Sequence, residues 1–136
     1  MDLYKLFKRA EVETRGVWID YGCAKFKLAR AGGDNKKFLA AMTRLAEPHK
    51  QAIAHNTLSE DDSRAMLAQA YAEAVILDWE GVTDENGAPL QFSVSNAVKL
   101  LKDLPDLFID LKEQAEQMTN FREGVREEAA KNSGTS

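Results

Sequence analysis

Few residues in this chain could do chemistry, and their spacings argue against most of what they could do. The two histidines, His49 and His55, stand six apart, so one helical face does not present both as an i, i+4 pair would. Cys23, the single cysteine, has no CxxC partner and no adjoining catalytic signature. The expectation is no metal site, with His49 and His55 as polar residues at a helix end and Cys23 as a small turn residue. No GxSxG elbow supplies a nucleophile. Asp78, Glu80, Asp84 and Glu85 cluster around Asn86-Gly87, but VTDENGAPLQF fails the EF-hand template, which needs Gly at the sixth position and Glu at the twelfth. They read as solvated flanks of a turn. ARAGGDN lacks both GxxxxGK[ST] and GxGxxG, so no phosphate cradle is expected. No catalytic residue and no cofactor follow, and the chain reads as a non-enzyme.

The elements around these residues are mainly helical. Val12 to Arg30 carries two short β-type runs, GVWIDYG and AKFKLA, and a β-hairpin over about 16–30 is expected. Trp18 and Tyr21 cannot share one side of a flat strand, so one of them should sit at the hairpin rim. Asp34 or Asn35 caps a helix carrying Phe38, Leu39, Met42 and Leu45. Pro48 either ends that helix at Ala46 or kinks it. Ser59, followed by Glu60, Asp61 and Asp62, starts a strong helix expected to run to about Trp79. A hairpin-like excursion follows over 82–92, then Ser93 or Ser95 caps a helix to about Asp103. Pro105 restarts a last helix with the apolar stripe Leu107, Phe108, Leu111, Ala115, Met118 and Phe121. A first amphipathic segment, Met1 to Arg9, places Leu3, Leu6 and Phe7 together. The expected fold is mainly α (α+β), one domain over 1–124 with four to five helices, and a mobile polar tail over 125–136.

Composition narrows the partners. A hydrophobic content of 44% with 29% charged residues suits a soluble globular chain. No apolar run approaches the roughly 20 residues of a membrane span, and the N-terminus has no signal-peptide pattern. With one cysteine, a reducing cytoplasm is the expected compartment. The net charge of −4 is unevenly spread. Residues 1–54 hold eleven Lys/Arg against six Asp/Glu, and residues 55–136 hold seven against sixteen. That asymmetry can steer head-to-tail association. The basic front half, with Phe26 and Phe38 interleaved, also raises nucleic-acid binding, but the acidic balance and the core-like spacing of both rings count against it.

Two stretches carry a resemblance. GVWIDYGCAKFKLARAGGDNKKF resembles the opening, and YAEAVILDWEGVTDENGAPLQFSVSNAVKLLKDLPDLFIDL the middle, of the tail assembly chaperones of long-tailed, siphovirus-like bacteriophages. The similarity spans about Gly16 to Phe121 and consists of buried positions and turns rather than a catalytic signature. It implies a protein that binds the tape-measure protein and keeps it soluble. It also implies recruitment of tail-tube subunits, self-association, action in the host bacterial cytoplasm, and absence from the mature virion. Trp18, Leu107, Phe108, Leu111 and Met118 are the candidate contacts, with a place in the core as the plainer reading of each. The resemblance further implies a longer product made by ribosomal frameshifting. Ala130, Lys131 and Asn132 could be encoded by GCA-AAA-AAC, which contains a slippery heptamer. The rival readings are a tail or head–tail connector protein retained in the virion, and a small nucleic-acid-binding phage regulator.

Overall fold

The computed structural model describes residues 2–4, 16–32 and 35–117. Most of the N-terminal amphipathic segment, Asp34, and the region holding Met118, Phe121, Ala130, Lys131 and Asn132 lie outside the described residues, as does the expected polar tail.

The architecture is a three-stranded antiparallel sheet with helices packed on one face. Strands β1 (Val17–Asp20) and β2 (Lys25–Leu28) form the expected hairpin. Gly22, at φ +89°, lies in its turn, where its N–H donates to the Asp20 carboxylate at 2.7 Å. Among the described residues five helices follow, with one strand inserted. Helix α1 (Lys36–Ala46) runs through a 3-10 turn, Glu47–His49, into the short α2 (Lys50–Ala54). Pro48 has no N–H to continue the ladder, so α1 ends at Ala46 and the chain tightens. Helix α3 (Glu60–Ala74) comes next, then β3 (Ile76–Glu80), α4 (Val94–Asp103) and α5 (Pro105–Glu116).

Local capping chemistry sets the helix starts. The Ser59 side chain accepts from the Asp62 N–H, and Ser93 accepts from the Asn96 N–H. Asn35 caps α1 by accepting from the Phe38 N–H at 3.0 Å. Its amide also donates to the carbonyls of Arg30 and Ala74, at 2.8 and 3.0 Å. One side chain thereby ties the end of the hairpin to the start of α1 and the end of α3.

The expectation of a helix to Trp79 is corrected. Helix α3 ends at Ala74, and Ile76–Glu80 is a strand pairing antiparallel with β2, in the sheet order β1-β2-β3. The register shifts between Lys27 and Leu28, so Ile76 and Trp79, three apart, are both buried, and that spacing matches a helix as well as it matches this bulged strand. The β-branched pair Val75-Ile76 and the ring of Trp79 favour the strand once β2 supplies a partner.

The core runs along α3, whose Ala68, Ala72 and Tyr71 are buried together with Leu101, Leu111 and Ile76. Small buried alanines let both α1 and α4 pack closely on α3. Tyr71 meets Phe38 and Phe108 edge to face, with ring centroids 5.5 and 5.4 Å away. Arg44 of α1 holds Glu73 of α3 through bonds of 2.8 and 2.6 Å, and Gln69 adds a third donor at 2.8 Å. These hydrogen bonds, first that of Arg44, hold the Glu73 carboxyl below its ordinary value of 4.5. A depressed carboxylate contributes stability above its unfolded value and loses it as the pH falls through the folded one. Between pH 5 and pH 3 the urea midpoint of the wild type should therefore fall further than that of Glu73→Gln. Parallel slopes would show that the pair contributes nothing.

Candidate interaction surface

No convergent chemical centre assembles among the described residues. Among the described residues, no group of three or more His, Cys, Asp or Glu could hold a metal ion. Cys23 is exposed in the hairpin turn, and His49 and His55 mark the two ends of α2. No helix among the described residues is long and apolar enough to cross a membrane. What the fold positions instead is a set of grooves and open apolar side chains.

The sheet contributes the first. Register places Val17, Phe26, Leu28 and Trp79 toward the helices, and Trp18, Asp20, Lys25, Lys27 and Glu80 on the opposite face. Trp18 is 38% exposed, with the Lys25 ammonium 5.2 Å from its ring centroid, and Lys25 also pairs with Glu80 at 3.2 Å. Tyr21 is the residue at the rim. Its hydroxyl donates to Asp110 of α5, and burial followed by that bond raises its pKa above the ordinary phenol value. Trp18 is thus a surface residue.

Of the other candidate contacts, Leu107 is partly buried against the core. Phe108 and Leu111 take the plainer reading, a place in the core, with Leu111 fully buried and Phe108 packed on Tyr71. An apolar helical stripe looks the same whether it faces its own protein or another, and here α5 turns it inward. The large apolar side chain that α5 leaves open is Ile109, 56% exposed. It edges a groove of about 470 Å³ between the start of α3 and α5, floored by Leu58, Leu67 and Phe108. Arg64 and Lys112 stand at its rim, the Lys112 ammonium 5.9 Å from the Phe108 ring.

A second groove, about 410 Å³, lies between the 82–92 excursion and α4. Its wall is built by the turn chemistry of Asp84-Glu85-Asn86-Gly87. The Gly87 N–H donates to the Asp84 carbonyl at 3.0 Å, with Gly87 at φ +82°. The Asp84 carboxylate accepts from the N–H groups of Asn86 and Ala88, at 2.9 and 3.0 Å. Asp84 is therefore a structural acceptor rather than only a solvated flank. Trp79 fastens the excursion to the sheet, its indole N–H donating to the Leu90 carbonyl at 2.8 Å and its ring meeting Phe92 at 5.2 Å. At the near end, Gly81 sits at φ +78°, where a Cβ would lie 2.7 Å from the Cys23 carbonyl oxygen. Leu90, Leu100 and the 47% exposed Leu104 form the apolar part of the groove. Asp84, Glu85 and Asp103 give it an acidic rim, and Lys99 bridges Glu85 and Asp103 at 3.2 and 2.6 Å.

The front of the molecule carries a third patch. Helix α1 buries only Ala41, and Leu39 remains 67% exposed. Residues 33–132, from just before α1 to beyond α5, match the family model of the YdaY prophage protein. The chain belongs to that family. It is thus a phage-derived protein, as the resemblance implied at the coarser level. The matched region contains both grooves and the α1 patch and leaves β1 and β2 outside. No curated protein and no solved structure matches the chain. Sequence reasoning passed over Leu39, Leu104 and Ile109 as contacts. The available signal was the breadth of the α1 stripe, which exceeds what one neighbouring helix can cover.

Proposed function

We propose that this chain is a tail assembly chaperone, binding the tape-measure protein in the host cytoplasm, keeping it soluble, and recruiting tail-tube subunits. The observation that carries the reading is the groove between α3 and α5. A prophage protein with no assembled chemical centre among its described residues has there an open, apolar-floored channel flanked by Ile109. Such a channel suits the apolar face of a helical segment, laid in as a helix in a groove. Membership of a prophage family and the resemblance of the hairpin and the 71–111 region support the same reading. The role is one of binding, and no residue is assigned to catalysis.

Co-expression tests it. The long helical phage tail protein should be soluble with this chain and insoluble without it. Ile109→Glu, at an exposed position, should abolish the rescue while leaving the chaperone folded by circular dichroism. A partner that stays insoluble in both cases, or a rescue that Ile109→Glu does not touch, sinks the assignment. Purified virions should lack the chain by mass spectrometry, and its presence there would favour a retained structural protein. The frameshift at Ala130-Lys131-Asn132 belongs to the same proposal. A coding sequence without the A-AAA-AAC heptamer would remove it.

A further inference from the structure

We infer that copies of this chain associate head to tail, with the apolar face of α1 around Leu39 seated in the acidic-rimmed groove beside α4 of the next copy. The inference deepens the self-association that the tail-assembly resemblance implies, by giving it a surface and a polarity, and it uses a different groove from the one proposed for the tape-measure protein. Leu39 is the most exposed large apolar side chain on helices α1 to α5. Lys36 lies one turn before it, and Met42, half-buried, one turn after. Residues 36–54 carry four Lys/Arg against Glu47 alone. Arg44 is committed to Glu73 and Lys50 to Glu47, so the basic character near Leu39 comes from Lys36 and Lys37.

The opposite surface has the opposite sign. Leu90, Leu100 and Leu104 are ringed by Asp84, Glu85 and Asp103 against Lys99. A groove of about 410 Å³ is roomy enough to receive a leucine with its neighbours. Helices α1 and α4 both pack on α3 and not substantially on each other, and Leu39 and Leu104 both stay open to solvent, so the two patches do not cover one another within a copy. Two α1 patches face to face would oppose lysines, and two grooves would oppose carboxylates. Only the mixed pairing joins apolar to apolar with complementary rims. Such a heterologous contact leaves one free patch at each end and continues into a ring or a filament.

Sedimentation velocity on the full chain tests this. The wild type should exceed the 15.2 kDa monomer mass increasingly with concentration, and added salt should reduce the effect. Leu39→Asp alone and Leu104→Asp alone should each weaken association about tenfold or more, the loss expected when a buried interface leucine is removed. Mixed together, the two variants should form a 1:1 dimer that grows no further, since each retains the face the other lacks. Leu39→Ala, which preserves helix propensity, should repeat the result of Leu39→Asp and guards against local unfolding. A wild type monomeric at all concentrations, a single variant that associates normally, or a mixture that stays monomeric would each overturn the inference. Ile109→Glu should leave self-association unchanged, so failure here is distinguishable from failure of the chaperone reading.

Discussion

Replacing Tyr71 with alanine should lower the free energy of unfolding by about 3–5 kcal/mol, the range of aromatic-to-alanine truncations in well-packed cores. Tyr71 is almost completely buried in the last turn of α3, and its ring meets Phe38 of α1 and Phe108 of α5 edge to face. Truncation would remove three helices' common contact and leave a void that alanine-rich α3 has no neighbouring bulk to fill. Tyr71→Phe isolates the polar contribution. The Tyr71 hydroxyl lies 3.5 Å from a Glu116 carboxylate oxygen, at the limit of a hydrogen bond, so its loss should cost no more than about 1 kcal/mol. Urea unfolding of the three proteins decides the matter. Equal costs for the two variants would mean that the ring is not the hub.

The second large effect is expected at Trp79. Trp79→Ala removes edge-to-face contacts with Phe26 and Phe92, at 5.9 and 5.2 Å, and leaves the Leu90 carbonyl without its indole donor. A cost of about 3–5 kcal/mol is expected, with a signature that a general core mutation lacks. The Leu90 N–H donates to the Val82 carbonyl at 2.9 Å and the Asp84 N–H to the Ala88 carbonyl at 2.9 Å. Amide exchange at these two groups should accelerate far more than exchange in α3, because the excursion loses its anchor first. Trp79→Phe should retain most of the packing and show the same exchange pattern at smaller amplitude. Uniform acceleration across the protein would mean that the excursion does not depend on Trp79.

The parts legible in the sequence were those set by chemistry within a few residues. Ser59 and Ser93 cap because a hydroxyl can reach the N–H three positions on. Pro105 begins α5 because its missing N–H is not needed there. Asn86-Gly87 turns because glycine accepts positive φ. What depends on distant segments was less legible. Whether residues 76–80 continue α3 or join a sheet is decided by Phe26 and Leu28, some fifty positions earlier. Whether Phe108 and Leu111 face a partner or the core is decided by Tyr71 and the flank of α3 that receives them. The open groove beside Ile109 is equally tertiary, since Leu58, Leu67 and Phe108 meet only after α3 and α5 pack.

The register of β2 with β3 carries one more consequence. Lys25 pairs with Glu80 across more than fifty residues of intervening chain. As the polypeptide leaves the ribosome, β2 therefore waits with one edge unpaired until β3 has been made. During that interval β1 covers only the opposite edge, and α1 to α3 must first collapse enough to shorten the loop that β3 has to close. Synthesis rate and the stability of α3 should thus set how long a sticky strand edge is exposed in the cell.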